Sequence, residues 1–437
     1  MQLLRFLKRA YKHLRKKMKN NSESNYVVTC RGCHKKDSIQ LLYDFGELPV
    51  AGYLESDLRR ASKAPRFNNA IAICKSCGLV QQANNDSKEF LIDKVYKNYQ
   101  PTYSVSSNVR IYLESFLDKA IAKAPTEPNA KVIEIGSNDG GFLEILKKRG
   151  YRPVGFDPAA RSDDSSDGSE IIVKDFFGVE AAKRYVSEFG PVKLAISRHT
   201  LEHVFEPIEF LKGLEIVLDK DGTAVIEVPY LSTQMMNNQF QSMVDQHISF
   251  FTVRSMKNLL NNSGLELFDV EFSPMDAGSM IAYVKKTNKK IVNATHLNKI
   301  LSYEKAFELD SPKGFEYFFK KFETQKKYVE SHFTDLALKS HKIFAYGAGG
   351  KGQAMLNILK LDADIIPNVI DDTPEYEGQF VPGTGNCVIS SRDQKLKNCT
   401  IFITAPSHIN EILAKELEQK RLSVEYFVSV PEFHYVN

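Results

Sequence analysis

The sequence has no tryptophan, so stacking and large-core roles fall to 28 Phe and 19 Tyr. It has no run of roughly 18 apolar residues, which argues against a membrane-spanning helix. Its first twenty residues contain no acid but eight bases: Arg5, Lys8, Arg9, Lys12, Arg15, Lys16, Lys17 and Lys19. A base every few residues leaves no room for the apolar stretch of a signal peptide, and the expected location is the cytoplasm. Against a formal net charge of +4, those eight bases leave the rest of the chain near −4. A mildly acidic body argues against a nucleic-acid footprint. No G-x-x-x-x-G-K-[ST] loop occurs, so nucleotide hydrolysis is not indicated.

Cysteine is also scarce, and its placement is informative. Of six, four form two CxxC pairs, Cys30/Cys33 and Cys74/Cys77; Cys387 and Cys399 stand alone. Paired CxxC motifs in a reducing compartment read as thiolates on structural Zn2+ rather than disulfides. With four sulfur ligands no coordination position stays open, so the knot stiffens a lobe and does no chemistry. The rest of the chain divides in order. Residues 1–25 form a basic extension: either an amphipathic helix whose residues 1–19 touch the inner face of a membrane, or a solvated tail. Residues 26–95 form the zinc lobe, 96–289 an α/β core, 290–338 a charged helical connection, and 339–437 a second α/β lobe. Strands are expected at 131–135, 152–156, 170–173, 192–197, 223–228, 266–272 and 280–285. Alternation with helices implies a parallel sheet covered on both faces. The SPMDAGS turn predicts a reversal that puts an antiparallel strand at the sheet edge.

The first strand runs into Glu134-Ile135-Gly136-Ser137-Asn138-Asp139-Gly140-Gly141, where small residues let the backbone approach a ligand. Asp157 ends the next strand, where a carboxylate can accept both hydroxyls of a ribose. The Gly136-x-x-x-Gly140 spacing after Glu134 resembles the loop of class I S-adenosylmethionine (SAM) methyltransferases, and Asp175 stands where such enzymes often contact adenine. The fourth strand ends in SRHTLEHV, which places His199, Glu202 and His203 near the reacting end of a ligand. Glu227, Tyr230 and His247 belong to the same rim. In the second α/β lobe, Gly347-x-Gly349-x-x-Gly352 with Asp371 and Asp372 reads by motif as a dinucleotide site.

The stretches CRGC, DFGELPVAGYL, CKSCGLVQ, EIGSNDGGFL, GFDPA, LEHV, EVPYL, QHISFFT, GLELFDVE, GSMIAYV, YGAGGKGQAMLN and VIDDTPEYEGQFVPGT run in order along nearly the whole chain past residue 28. Together they resemble the three-domain SAM-dependent C-methyltransferases of deoxysugar pathways. The resemblance implies a small N-terminal zinc domain, a class I methyltransferase Rossmann-like core and a C-terminal Rossmann-like nucleotide-sugar domain. It implies SAM on Glu134, Gly136, Ser137, Asn138, Asp139, Gly140, Asp157 and Asp175. It implies substrate contacts from Tyr230 and, at the diphosphate, from Gly347, Gly349, Gly350 and Lys351; this reading is preferred to NAD. The implied reaction methylates a carbon beside a ketone on a nucleotide-bound sugar, in a setting of surface polysaccharide or glycoconjugate assembly.

Within that family a His-Glu-His stretch preceded by Tyr carries the proton chemistry. Here it reads Val244-Asp245-Gln246-His247, so the last histidine is kept while Gln246 and Val244 replace Glu and Tyr. His247 is the expected base, with His203 assisting, Gln246 orienting and Tyr103 or Tyr99 as a further tyrosine. The substitutions keep two alternatives open: transfer to oxygen or nitrogen, and a non-catalytic sugar-nucleotide scaffold.

Overall fold

The computed structural model describes residues 27, 29–98, 107–160, 171–244, 246–287, 294–393, 396–405, 408–418 and 423–436. The basic extension 1–25, Tyr99, Tyr103 and Asp245 lie outside the described residues.

Three antiparallel strands frame the cysteine pairs: β1 (Ile39–Pro49), β2 (Arg66–Cys74) and β3 (Val80–Gln82). The central lobe contributes β4 (Lys131–Ile135), β5 (Arg152–Phe156), β6 (Ile171–Val173), β7 (Val192–Arg198), β8 (Leu218–Pro229), the short β9 (Ser249–Phe250), β10 (Leu265–Ser273) and β11 (Ser279–Lys286). Its sheet has the order β10-β11-β8-β7-β4-β5-β6, and β4 to β8 run parallel. Parallel strands covered on both faces need apolar side chains on both, and Val132 to Ile135 are all buried. From β4 the chain winds one way through β5 and β6, then the other way through β7 and β8. Ligands of doubly wound sheets bind at such a switch point, beyond the strands' carboxyl ends. Gly136 and His199 both follow strands that flank it.

The expected reversal is present, with a correction to its place. The reversed strand is β11, and it lies between β8 and β10 with Met280 opposite Val228, leaving β10 at the edge. Burial explains the order. Ser279 to Val284 are buried throughout, whereas β10 alternates buried with partly exposed residues and tolerates the rim.

The third sheet contains β12 (Lys342–Tyr346), β13 (Asn368–Ile370), β14 (Cys387–Ile389), β15 (Cys399–Ile403), β16 (Val424–Val428) and β17 (His434–Val436), in the order β14-β13-β12-β15-β16-β17. Two helices, Ala294–Ala306 and Lys313–Leu338, form the connection. The second buries Phe315, Phe318 and Phe322, a 3- and 4-residue spacing that makes one apolar face. Tyr43 of β1 stacks on Phe319 at 4.6 Å.

The cysteine lobe is wedged between the other two. One apolar cluster joins Cys30, Cys74, Cys77 and Leu79 to Leu211, Met256 and Leu259 of the central lobe. Another joins Leu48, Ile71 and Val80 to Phe240, Val244, Phe402 and Phe427. β9 pairs with β3, Val80 opposite Phe250, which ties the wedge to the segment just after His247. No helix among the described residues is long and apolar enough to cross a membrane.

Candidate active site

Cys30, Cys33, Cys74 and Cys77 converge from two loops flanking β1 and β2. Their sulfur atoms approach to 3.5 Å (Cys30–Cys77) and 3.6 Å (Cys33–Cys74). A tetrahedron of Zn–S bonds near 2.3 Å has edges of about 3.8 Å, so the four fit zinc with little movement. The Cys74 thiol is pushed down, first by hydrogen bonds from Cys30 and Cys77 and then by Ser38, whose hydroxyl lies 3.2 Å from its sulfur. The same contacts push the Cys30 and Cys77 thiols up, so the four sulfurs do not all ionise without a cation among them.

Beyond β4 the chain turns sharply at Gly136 (φ 82°) and again at Gly140 (φ 78°), which opens helix Gly141–Lys148. A Cβ on Gly136 would lie 2.0 Å from the Thr200 hydroxyl, so that position admits only glycine. Asp157 buttresses the turn: one carboxylate oxygen accepts the Asn138 N–H at 2.9 Å and the other the Ala159 N–H at 2.7 Å. Each oxygen keeps a further lone pair for a ligand hydroxyl. Burial raises the Asp157 carboxyl, and those two N–H bonds oppose the rise.

The histidines gather at the ends of β7 and of the loop before β9. The His203 and His247 rings stand edge-on at 5.0 Å, and Tyr96 lies edge-on to His203 at 5.8 Å. The Gln246 carbonyl accepts from the Tyr96 hydroxyl (3.0 Å) and from His203 Nδ1 (2.9 Å). A carbonyl only accepts, so Nδ1 carries the proton and Nε2 presents a lone pair. Glu202, 2% exposed, faces His199 Nδ1 at 3.4 Å. Burial opposes its charge, but the His199 hydrogen bond and the charges of His203, His199 and His247 overcome that and hold it at about 2. His247 is lowered well below its ordinary value, by burial first and then by the neighbouring His203 charge, with Glu202 pulling the other way. A neutral imidazole beside a buried carboxylate is equipped to accept a proton.

The third lobe closes the cleft. Helix Gly350–Ile358 begins with no side-chain cap. Its Lys351 ammonium pairs with Asp276, and Gln353 accepts the Gly52 N–H at 2.9 Å. The Gln246 side chain donates to the Ala51 carbonyl at 2.8 Å. The three lobes thus meet at one point, Gly52–Gln246–Gly350. Gly52 has φ 95°, and a Cβ there would lie 2.4 Å from Gln246 Nε2. Gly52→Ala is expected to cost about 1–3 kcal/mol through backbone strain and to displace Gln246, with thermal melting and kcat/KM both reporting the loss.

Residues 274–431 match the family described as the C-methyltransferase C-terminal domain, and residues 109–270 match a methyltransferase domain. The chain is 24% identical over 409 residues to C-methyltransferase NovU of Streptomyces niveus, covering 93% of this chain and 96% of that protein. The chain is a SAM-dependent methyltransferase whose C-terminal part matches the C-methyltransferase C-terminal domain. Among solved structures, a SAM-dependent methyltransferase from Anabaena variabilis covers 46% of this chain and 94% of its own at 14% identity, with a TM-score of 0.35. A complex of the Haloferax volcanii Trm112 methyltransferase activator and the putative methyltransferase gives 42%, 92%, 15% and 0.33. The central lobe is a class I methyltransferase fold, and the cofactor is SAM.

The turn Gly136–Gly140 and Asp157 lie at the switch-point crevice beyond β4 and β5. Ser137 has a buried hydroxyl with no partner, and the uncapped helix start at Gly140 leaves N–H groups for a ligand, so the cradle fits the cofactor. Asp139, just before that start, accepts the Gly141 N–H at 3.2 Å, and the N–H groups beyond it remain for a ligand. Glu134 differs from expectation. It is 1% exposed and lies behind the loop, accepting from Arg198 at 3.0 Å. Burial raises its carboxyl to about 7 against the pull of Arg198. Asp175 is exposed and engaged with Arg184 at 2.7 Å. Asp157→Ala is expected to weaken SAM binding about 10–100-fold in calorimetry, by removing the ribose acceptor and freeing two backbone donors.

On the substrate side, the Tyr230 ring is 5% exposed and its hydroxyl donates to Glu304 of the connecting helix at 2.9 Å. Pro229 ends β8, and the residue after it faces the connecting helix. Gly347 (φ 109°) serves packing, since a Cβ there would lie 2.6 Å from Ala405; Gly349 faces open space, Gly350 meets Gln246 and Gly52, and the Lys351 charge acts on His203 and His247. Gln246 acts chiefly through its carbonyl and as a strut between lobes. Val244 sits in the apolar core, where a tyrosine hydroxyl would lack water. Tyr96, Gly52 and Gln353 are site residues that motif reading missed. Tyr96 belongs to the tyrosine-bearing run before the core, and that density of tyrosines was the available signal.

Proposed function

We propose that the enzyme transfers the SAM methyl group to a carbon beside a ketone on a nucleotide-activated deoxysugar, in surface polysaccharide or deoxysugar biosynthesis. The observation that carries the reading is that Lys351, in the first turn of the uncapped helix Gly350–Ile358, acts electrostatically on His203, His247 and buried Glu202, while Gly350 meets the Gln246 side chain beside them. A sugar diphosphate on Gly349, Gly350 and Lys351 would put its sugar over the histidines. His247 takes the α-proton, and the electron pair left on carbon forms the new bond to the methyl group. SAM, when bound, supplies that methyl as an electrophile and leaves as a thioether. His203, its proton fixed on Nδ1, orients the substrate. Glu202 supplies the carboxylate that Gln246 lacks and steadies the imidazolium as it forms. Zinc on the four cysteines holds the wedge lobe against both others.

The proton at the accepting carbon distinguishes this reading from oxygen or nitrogen transfer. With a substrate deuterated beside the ketone, each turnover is expected to release one deuteron to solvent. Product that keeps all its deuterium would overturn carbon transfer.

A further inference from the structure

We propose that His203, His247 and Glu202 form a second metal site, of nitrogen–oxygen type and suited to Zn2+, Ni2+ or Co2+, whose filling shuts the transferase off. The site is distinct from the four-cysteine knot in ligand chemistry and place. One ligand atom from each of the three residues lies within 4.8 Å of the others. A tetrahedral shell with bonds near 2.1 Å places ligands roughly 3.4 Å apart, so side-chain adjustments of about 1 Å complete it.

Two features go beyond proximity. His203 donates its Nδ1 proton to the Gln246 carbonyl at 2.9 Å, which aims the Nε2 lone pair away from that carbonyl. Metal-binding histidines are oriented in this way, by a carbonyl or carboxylate on the other nitrogen. Glu202 is 2% exposed, and its Oε2 has no hydrogen-bond partner. A buried carboxylate oxygen without a donor calls for a cation.

The backbone holds the ligands together. The Ile248 N–H, one residue past His247, bonds the Glu202 carbonyl at 2.6 Å, and the His203 N–H bonds the Thr200 carbonyl at 3.0 Å. Local charge is mixed: Lys351, paired with Asp276, still acts on both histidines, while Glu227, fully buried, adds a second carboxylate 3.8 Å from His199. Two histidines and one glutamate are a ligand set of metalloenzymes that keep a position open.

Metal on His247 takes the lone pair that the proposed reaction uses to accept the α-proton. The inhibitory half of the proposal rests on that reading; the binding half does not. The test uses full-length protein with zinc already on the cysteines, titrated with Co2+ in equilibrium dialysis without substrate. One further equivalent is expected, with d–d absorption and no thiolate charge-transfer band. Glu202→Gln and His203→Ala are each expected to weaken it tenfold or more, with circular dichroism reporting that both fold. A stoichiometry that never exceeds the cysteine site, or equal binding by both folded variants, overturns the site. In the activity arm, inhibition by Co2+ that a mild chelator reverses, while the zinc stays on the cysteines, supports the block. Binding without inhibition overturns the block and counts against His247 as base, leaving the metal site intact.

Discussion

His247→Ala is expected to lower kcat by about 10²–10⁴, the usual contribution of a positioned base, with SAM affinity unchanged. The ring stands 5.0 Å from His203 and 6.3 Å from Phe250, and none of the three belongs to the Gly136–Gly140 turn proposed to hold SAM. Alanine removes the proton acceptor and leaves the cofactor crevice whole. Single-turnover kinetics with saturating SAM, beside a calorimetric titration of the same variant, separates the two effects. Undiminished turnover would remove His247 from the base role. His203→Ala should cost less, since it removes orientation and not the acceptor.

The second large effect concerns the four cysteines. Cys74→Ser is expected to strip the zinc and to lower the melting temperature sharply, with loss of activity. Structural zinc contributes on the order of 10 kcal/mol to small zinc domains. Here Cys30, Cys74 and Cys77 also sit in the same apolar cluster as Leu211, Met256 and Leu259. Loosening the knot therefore exposes the central lobe's surface as well as its own. It also releases β3 from β9, and with it the segment that carries His247. After a mild chelator has cleared any weaker site, metal analysis should give one zinc per chain in the parent protein and less in the variant. A Cys74→Ser protein that melts with the parent and remains active would contradict a structural role for the site.

The parallel sheet was legible because its signals are local. Short apolar runs such as KVIEI and KLAISR, each followed by Gly, His or Asp, mark strands buried on both faces. β4, β5 and β7 lie within a residue of expectation, while β8 begins five residues earlier, at Leu218. The position of β11 was not legible, because a hairpin motif fixes which strands pair but not which one takes the edge. Burial settles that, and it emerges only when the sheet packs.

The site divides in the same manner. The four cysteines and the Gly136–Gly140 turn are held by short-range spacing and could be read directly. Tyr96, Gly52 and Gln353 reach the cleft from separate lobes, and no local pattern encodes their meeting. The bond of the Tyr230 hydroxyl to Glu304 was not legible either, since proximity to a strand end says nothing about the direction a ring takes. Glu202 was visible as one acid among several. Its weight comes from burial beside two histidines, which the sequence could not supply.

One measurement bears most directly on the central claim. Candidate nucleotide-activated 4-keto sugars, incubated with the enzyme and SAM, should gain the mass of one methylene on the sugar, with the new methyl on carbon by NMR. If all such acceptors return unchanged from enzyme that binds SAM, or the methyl is found on oxygen or nitrogen, methylation of a sugar carbon is contradicted.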